Sequence, residues 1–271
     1  MPSDAYSLIA AGKTDVGRAR ARNEDSFCIG ASGDFAVVCD GMGGHAGGDI
    51  ASRTAVEVIG RFLEDFTPPP DAVPPPPPDS ERTLPNPADH NPALRSAVVV
   101  ARSAVQLANQ RIHGLNRQRG FADGRGMGTT AVGVWRIPGL PQMVVFHAGD
   151  SRLYRLRDGE LKALTRDHSL YQAWLDNGGR GTAPQRNIIL RALGTGEDLE
   201  PDVVVHPLLP DDVLLLCSDG LNGMVPDGMI ARILQQPTDP AETCAALVDA
   251  ANAAGGHDNI TVVVARFAQQ P

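Results

Sequence analysis

The sequence predicts an α+β domain built on antiparallel strands, and three observations support this prediction. Short apolar stretches rich in valine, leucine and isoleucine recur along the 271-residue chain, as is typical of buried strands. Several of these stretches follow one another with only short turns between them, which favours antiparallel pairing over βαβ units. Longer stretches with apolar residues three and four positions apart predict helices between and after the strands.

Composition limits the possible functions. With 42% apolar and 21% charged residues, the chain can bury one sizeable core as a single domain over residues 1–271. The net charge of −8 argues against nucleic acid or an anionic membrane as a partner. The chain has no membrane-length apolar run and no secretory signal pattern, and its four cysteines lack C-x-x-C spacing, so we expect a cytoplasmic protein. No cysteine is followed six residues later by an arginine, which excludes a cysteine-dependent phosphatase loop.

The N-terminal part of the chain predicts two strands, two helices and a proline-rich insertion. Residues 5–12 and 35–39 have the apolar character of strands, and apolar stripes at helical spacing predict helices over 49–63 and 92–113. Between these helices, residues 67–92 contain eleven of the 22 prolines. Such a segment cannot join a helix or a central strand, and it favours polyproline II structure at the surface. We interpret it as a solvated spacer, with a PxxP docking site as the alternative.

The remainder of the chain predicts mainly strands, followed by two helices and a last strand. The predicted strands are residues 130–136, 143–148, 152–156, 161–165, 203–206, 212–217 and 260–267, and the predicted helices are residues 169–177, 227–235 and 240–254. The first four strands are separated by short turns and predict an antiparallel meander. Asp158-Gly159 is a hairpin turn within it, and Gly149–Arg152 forms a tight polar turn. Residues 170–192 include a less regular, glycine- and arginine-containing loop.

The end of the strand at residues 35–39 is the first candidate functional site. Asp40 follows the strand directly, and the next eight residues contain five glycines and His45. Residues 41–46 also match G-x-G-x-x-A, the dinucleotide-binding pattern. That fold requires an acidic residue about twenty positions later at the end of a second strand, whereas Glu64 and Asp65 end a predicted helix. Asp40 would also repel a pyrophosphate, so we favour a metal-binding turn.

Two more aspartates occupy similar positions, since Asp219 ends an apolar strand and Asp258 comes just before another. Together with Asp40 and Glu24 they offer hard oxygen ligands, which suit Mg²⁺ or Mn²⁺ better than a structural zinc ion. A single Asp-Gly pair is usually only a turn. Three carboxylates placed alike at strand edges predict a metal site.

An alternating arginine series precedes Glu24 and Asp25. If this segment is extended, Arg18, Arg20 and Arg22 project from one face. A solvated basic edge is the alternative for Arg18 and Arg22. Arginine beside paired carboxylates is the combination that a site for phosphate and metal requires.

Seven motifs occur in order between Ala10 and Phe267. They are Arg20-Ala-Arg-Asn-Glu-Asp25, Asp40-Gly-Met-Gly-Gly-His45, Gly126-Met-Gly-Thr-Thr130, Gly149-Asp-Ser-Arg152, Leu164-Thr-Arg-Asp-His168, Cys217-Ser-Asp-Gly-Leu221 and Gly256-His-Asp-Asn259. This series resembles the motifs of the metal-dependent protein phosphatases (PPM, the type 2C serine/threonine phosphatases) in their compact bacterial form. Each motif alone is weak evidence, whereas the ordered set is specific. The resemblance implies a four-layer αββα sandwich, in which two antiparallel sheets are flanked by helices.

The resemblance also implies a role for each matching residue. Asp40 would bridge two Mn²⁺ or Mg²⁺ ions, and the Gly41 carbonyl would bind one of them. Asp219 and Asp258 would hold the other ion. The remaining roles are Glu24 as a direct or water-mediated ligand, Asp25 behind it, Arg20 as the phosphate-binding residue and His45 as the acid that protonates the leaving group. The alternative for His45 is a hydrogen bond to one of the carboxylates.

For a third, weaker metal ion, the sequence departs from the family pattern. Asp123 matches one of its ligands, but Gly223 stands where the partner carboxylate is expected. The sequence therefore supports two ions and leaves a third open. Residues 170–192 correspond to the variable flap of the family.

The implied function is a cytoplasmic serine/threonine protein phosphatase, in which water activated by the two ions attacks the phosphoryl group of phosphoserine or phosphothreonine. Its expected partners are phosphorylated proteins, through opposition to a bacterial Ser/Thr kinase, and we expect a monomer. A catalytically silent phosphoprotein-binding module is an alternative, although such relatives normally lose metal carboxylates and all of them are present here. A docking protein acting through the proline-rich insertion is a further alternative.

Overall fold

The computed structural model describes residues 6–43, 47–66 and 91–269. Its strands in chain order are β1 (Tyr6–Asp15), β2 (Ser26–Ile29), β3 (Phe35–Cys39), β4 (Gly41–Met42), β5 (Gly128–Thr129), β6 (Ala131–Arg136), β7 (Gln142–Ala148), β8 (Arg152–Arg157), β9 (Glu160–Ala163), β10 (Asp202–Pro207), β11 (Val213–Cys217) and β12 (Ile260–Gln269). Its helices are α1 (Gly48–Glu64), α2 (Pro92–Gln118), α3 (Leu170–Asp176), α4 (Asp219–Asn222), α5 (Asp227–Leu234) and α6 (Pro240–Ala253).

The strands form two five-stranded antiparallel sheets that pack face to face. Sheet I has the order β1-β12-β11-β8-β9, and sheet II has the order β10-β7-β6-β3-β2. The short strands β4 and β5 form a separate pair. Between the sheets lies an apolar layer that includes Val38, Val134, Leu216 and Val263, all fully buried. Alternate residues of each strand fill this layer, because successive side chains of a strand point to opposite faces of a sheet.

Helices cover the outer face of each sheet. A core that includes Ile59 of α1 and Val105 of α2 lies against sheet II, and one that includes Ile230 of α5 and Leu247 of α6 lies against sheet I. The four-layer αββα sandwich predicted from the sequence is therefore confirmed. In the part of the chain that the structure describes, no helix is both long enough and apolar enough to span a membrane.

Most predicted elements are present with small shifts at their ends. The helix predicted over residues 92–113 continues to Gln118, and it begins where the Asn91 side chain accepts from the amides of Ala93 and Leu94. A helix-capping residue of this kind satisfies amides that have no partner within the helix. The core of the proline-rich insertion, residues 67–90, lies outside the described residues.

The predicted continuous meander over residues 130–165 is wrong. Strands β6 and β7 form a hairpin in sheet II, whereas β8 and β9 form a hairpin in sheet I. The turn at residues 149–151 carries the chain from one sheet to the other, so β7 and β8 do not pair. Short turns predict adjacency along the chain, but they do not reveal which sheet buries the apolar face of each hairpin.

The segment that contains the three arginines is not an extended strand. Residues 17–19 form a turn, with Gly17 in the left-handed region (φ +78°), and residues 20–25 are irregular. The amide of Arg18 donates to the Gly256 carbonyl at 2.7 Å. The segment is therefore shaped by contacts with the loop before β12. The sequence analysis also missed β2 and the single-turn helix α4, which are too short to show a clear period.

Candidate metal centre

The predicted acidic residues come together at one end of the two sheets. In sheet II, Ser26 pairs with Cys39, so the register places Asp25 beside Asp40 one residue further on. On the other side of β3, the Thr130 amide donates to the Asp40 carbonyl at 2.9 Å. The strand that precedes Asp40 is thus held between two neighbours, and Asp40 leaves the sheet between them.

Sheet I brings its aspartates to the same end. Cys217 of β11 pairs with both Arg152 of β8 and Val262 of β12. Two residues beyond Cys217 is Asp219, and Asp258 lies two residues before β12 begins. Burial raises the pKa of Asp40, and the charges of Asp219 and Asp258 add to the increase. These charge effects are consistent with the proximity of the three aspartates.

Backbone contacts fix the turn at Asp40. The hydroxyl of Thr129 donates to the Asp40 carbonyl at 2.8 Å, and the Asp40 amide donates to the hydroxyl of Thr130 at 3.0 Å. A Cβ atom at Gly41 would lie 2.3 Å from the carbonyl oxygens of both Glu24 and Gly48. Only glycine permits three backbone segments to approach so closely. A structural requirement for glycine at position 41 therefore accompanies its predicted role as a ligand.

Glu24 lies against the same turn. A Cβ atom at Gly48, the first residue of α1, would be 3.0 Å from the carboxyl carbon of Glu24 and 2.9 Å from the carbonyl carbon of Gly41. Hence the side chain of Glu24 lies near the Gly41-Met42 peptide. The structure brings Glu24, Asp40 and Gly41 together, as the ligand hypothesis requires.

Burial raises the pKa values of several of these carboxyl groups. Burial, followed by the charges of Asp25 and Asp219, raises the pKa of Asp40 well above its ordinary value. Burial also raises the pKa of Asp219, and it raises the pKa of Asp25 to about 6. The Oδ2 atom of Asp25 accepts from the Ser218 hydroxyl at 2.8 Å, whereas its buried Oδ1 has no hydrogen-bond partner among the described residues. Packing several carboxylates together without a cation is unfavourable, so this donor set fits divalent metal ions.

Asn259 joins the segments that carry the acidic residues, and the sequence analysis assigned it no role. Its Oδ1 accepts from the Glu24 amide at 2.8 Å, and its Nδ2 donates to the carbonyls of Val16 and Arg22. Its own amide donates to Oδ1 of Asp258 at 2.8 Å. An amide side chain directly after a candidate ligand could have suggested this positioning role. The three residues that its side chain contacts, however, are distant in sequence.

Arg20 lies at the edge of the acidic cluster. Its Nη2 donates to Oδ2 of Asp258 at 2.7 Å, and about half of its side chain is exposed. This hydrogen bond raises the pKa of Arg20, and the charges of Asp258, Asp40 and Asp219 act in the same direction. Arg18 and Arg22 are also exposed. Among the described residues, neither forms an ion pair like that of Arg20 with Asp258. Of the three arginines, Arg20 is the one that contacts a candidate ligand, Asp258.

Two candidates remain, His45 and Asp123. His45 lies outside the described residues, so its position stays a prediction. Asp123 is exposed, and its Oδ1 lies 2.8 Å from Nε2 of the buried His113. Gly223 caps the single-turn helix that starts at Asp219 and offers no carboxylate.

A second cluster of possible ligands lies at the base of the flap. Nε2 of His168 is 3.3 Å and Nε2 of His147 is 3.8 Å from Oδ2 of Asp202, whose Oδ1 accepts from Arg191 at 2.7 Å. The two imidazole rings are stacked, with centroids 4.4 Å apart and an angle of 20° between them. Imidazole lone pairs lie in the ring plane, so stacked rings do not direct them at one ion. The cationic Arg191 also neutralises Asp202.

This second cluster is better described as a polar network that anchors the flap. His168 precedes the flap and Arg191 lies at its end, and both contact Asp202 at the start of β10. The Leu190 amide also donates to the His168 carbonyl at 2.7 Å. A cavity of about 560 Å³ lies next to the network and is lined in part by Gln172 of α3. None of the metal-site carboxylates named above lines it.

The chain is similar in sequence to known phosphatases. A sequence model of a protein family described as "Protein phosphatase 2C" matches residues 17–254. The chain is 34% identical over 265 residues to a serine/threonine phosphatase, Stp, of Listeria welshimeri, and the match covers 93% of each chain. It is 35% identical over 260 residues to the serine/threonine protein phosphatase PstP of Mycobacterium tuberculosis, of which it spans 44%.

The fold is also similar to that of a solved structure. The catalytic domain of the serine/threonine protein phosphatase PstP, crystallised in complex with two manganese ions, superimposes with a TM-score of 0.78 at 33% identity. That match covers 97% of this chain and 100% of the solved chain.

Proposed function

Because the chain belongs to the protein phosphatase 2C family, we propose that its clustered carboxylates hold two divalent ions and that its flanking residues bind and orient a phosphorylated protein. It is an enzyme, a serine/threonine protein phosphatase that depends on Mn²⁺ or Mg²⁺. The observation that carries this proposal is the convergence of Asp40, Asp219 and Asp258 on one edge of both sheets, with burial raising the pKa of the first two.

In the proposed metal centre, Asp40, the Gly41 carbonyl, Asp219 and Asp258 would hold the two ions, and Glu24 would contribute directly or through water. When bound, two divalent ions supply an activated water as nucleophile and positive charge for the phosphoryl oxygens. The chain contributes the fixed geometry: the hydroxyl contacts at Asp40 and the close approach at Gly41 restrict the ligands before any ion binds.

Arg20 is proposed to bind the phosphate. Its Nη2 is held by Asp258, so the guanidinium is fixed at the edge of the carboxylate cluster while part of it faces solvent. A planar guanidinium can donate two parallel hydrogen bonds to phosphoryl oxygens, and this orients the phosphorus for attack as well as neutralising charge. The ion pair with Asp258 thus links substrate binding to the metal ligands.

Replacing Arg20 by lysine is expected to lower kcat/KM for a phosphothreonine peptide by about tenfold to a hundredfold. Lysine keeps the positive charge but loses the planar pair of donors. Steady-state kinetics at saturating Mn²⁺ would measure the effect. Arg22→Lys is the matched control, because Arg22 is exposed on the same loop, and its kcat/KM should stay within about twofold of the wild-type value. Equal kinetics for Arg20→Lys and the wild type would contradict the phosphate-binding role.

His45 is proposed as the general acid that protonates the departing serine or threonine oxygen. This proposal depends on its place in the motif that begins at Asp40, two residues before the start of the described segment at Gly47. General acids of this kind contribute roughly 10²–10⁴-fold to rates. Asp25 is proposed to support Glu24 from behind, since its carboxylate is buried and accepts from Ser218.

We propose that the site binds two metal ions. A third ion would have Asp123 as a ligand, and His113 already contacts that carboxylate. Because Gly223 cannot supply the second carboxylate, any third ion would be bound more weakly than the other two. We propose that Asp123 is not required for the basic reaction.

The domain organisation, the oligomeric state and the biological partners of the chain are also proposals. We propose that the chain is one catalytic domain with a proline-rich surface insertion, that it acts as a monomer, and that it opposes a bacterial Ser/Thr kinase in the cytoplasm. Four cysteines without a disulfide among them support a reducing compartment. The serine/threonine phosphatase names of its bacterial relatives support phosphorylated proteins as substrates.

Hydrolysis of p-nitrophenyl phosphate and of a phosphothreonine peptide, with Mn²⁺ and then with excess EDTA, tests the function. We expect turnover of both compounds with Mn²⁺ and loss of both with EDTA. A folded protein that binds Mn²⁺ but hydrolyses neither compound would favour a phosphoprotein-binding module instead.

A further inference from the structure

Asp150 carries a buried carboxylate. It lies in the turn between β7 and β8, and only 6% of its surface is exposed. Its Oδ1 atom has no hydrogen-bond partner among the described residues, and within that part of the chain it forms no ion pair. An unpaired carboxylate in such a position is costly to bury.

Two other aspartates, the partly buried Asp167 and the fully buried Asp212, are paired with arginine. Asp167 receives two hydrogen bonds of 2.7 Å from Arg152, and Asp212 receives two of 2.7 Å from Arg157. Asp150 is buried as Asp212 is, but it has no arginine partner among the described residues. In this respect it resembles Asp25 of the metal centre, which also has a buried oxygen without a partner.

The fold places Asp150 at the metal-site end of both sheets. Because Cys217 pairs with Arg152, extending that register by two residues brings Asp150 and Asp219 to the same edge of sheet I. On the side of sheet II, the hydroxyl of Ser151 is 2.6 Å from that of Thr130, which also accepts from the Asp40 amide. The turn that carries Asp150 is therefore coupled to Asp40 through two short contacts.

The turn itself has little freedom. The Gly149 amide donates to Nδ1 of His168 at 3.2 Å, and the His168 amide donates to the Gly149 carbonyl at 2.9 Å. A Cβ atom at Gly149, which has φ +117°, would lie 2.6 Å from the side chain of Thr130. Asp150 is thus held in place and cannot easily move its charge into solvent.

The charges around Asp150 are mainly negative. Burial raises the pKa of Asp150 to about 7, and the charges of Asp219 and Asp167 add to the increase. Arg152 acts in the opposite direction, but it is already bound to Asp167. Either the carboxyl group is protonated and has only a structural role, or a cation next to Asp219 compensates its charge. The shared edge with Asp219 and the contacts to Asp40 favour the second explanation.

We infer that Asp150 is a positioning carboxylate of the metal centre, which adds negative charge beside Asp219 and accepts hydrogen bonds from water around the bound ions. This inference depends on the proposed metal centre. Asp150 acts through the ligands and water and does not touch the substrate. Removal of groups in this position typically weakens metal binding by about 10–100-fold.

Titration with Mn²⁺ of the wild type and of Asp150→Asn, followed by calorimetry and by melting temperature, tests this inference. We expect the Kd for Mn²⁺ to rise about 10–100-fold in the variant, while the metal-free variant melts at the same temperature as the metal-free wild type or above it. Raising the Mn²⁺ concentration should recover much of the turnover lost at low Mn²⁺. Asp249→Asn, on an exposed part of α6, is the control for removal of one negative charge.

The outcomes separate this inference from the function on which it depends. No Mn²⁺ binding by the wild type would overturn the metal centre itself. If the wild type binds Mn²⁺ and Asp150→Asn binds it with the same Kd, only the role of Asp150 is overturned. The same holds if the Kd is unchanged and the metal-free variant melts at a lower temperature. If Asp150→Asn does not fold, Asp150→Ser removes the carboxylate without adding volume, and failure of both to fold would assign Asp150 a structural role.

Discussion

Replacing Asp40 by asparagine is expected to lower turnover by about 10³-fold or more without unfolding the chain. Asparagine preserves the size of the side chain and its backbone contacts, but it removes the charge proposed to serve both ions. Loss of several kcal/mol of transition-state stabilisation corresponds to this reduction in rate. Because burial and nearby carboxylates raise the pKa of Asp40, removing its charge should also leave the metal-free protein at least as stable as before.

The measurement is kcat for p-nitrophenyl phosphate at saturating Mn²⁺, together with a thermal melt of the metal-free protein. Asp158→Asn is the matched control, since Asp158 is also followed by glycine but lies in the β8–β9 hairpin with φ 50°, a conformation that asparagine tolerates. The control should retain wild-type turnover. Near-normal turnover of Asp40→Asn would refute its role as the shared ligand.

Mn²⁺ is expected to raise the melting temperature by about 5–10 °C when its concentration is 100 times its Kd. Binding to the folded state alone then adds about 2.7 kcal/mol to the free energy of unfolding, and for a chain of this size each kcal/mol shifts the melting temperature by about 2–4 °C. The physical reason is that the ions relieve the repulsion among the clustered carboxylates. A thermal melt with Mn²⁺, and then with EDTA, measures the shift.

The same carboxylates give this shift a defined pH dependence. Their pKa values are raised in the folded metal-free state, to about 6 for Asp25 and about 7 for Asp150, from an ordinary value of 3.8. A carboxyl group with a raised folded-state pKa stabilises the fold below its unfolded pKa, and this contribution is lost as the pH rises through the folded-state value. The metal-free melting temperature should therefore contain a contribution that falls between about pH 4 and pH 7. The increase caused by Mn²⁺ should grow over the same range, because the ions compete with protons for the ligands.

Two controls separate this effect from nonspecific ion binding. Asp219→Asn should show a much smaller increase with Mn²⁺, whereas Asp249→Asn, on the exposed face of α6, should behave as the wild type does. A melting temperature that does not respond to excess Mn²⁺ at pH 7 would count against the metal centre.

Much of the site could be predicted because its chemistry is local in sequence. Asp40 and Asp219 directly follow apolar strands, and Asp258 comes just before one, so strand pattern and residue type together indicated an acidic edge. Resemblance to a family then supplied roles for Arg20 and His45, which composition and spacing alone do not give.

Other features could not be predicted because they depend on contacts between distant segments. Asn259 joins Val16, Arg22 and the Glu24 amide, all more than 230 positions away in the chain. Asp150 appeared in the sequence only as part of a polar turn. Its burial, and the absence of an ion pair to it within the described part of the chain, become visible only when β7 and β8 are assigned to different sheets.

By itself, the sequence determined the α+β class, most helices and strands and the family, and it predicted the carboxylates of the candidate metal centre. These follow from local periodicity, from turn chemistry and from ordered motifs. Only the tertiary structure decided that the hairpins of residues 131–163 divide between two sheets, which residues hold the ligands in place, and which buried charges lack a partner. The physical reason is that register and burial are set by the packing of segments that are far apart in the chain, and local patterns carry no information about that packing.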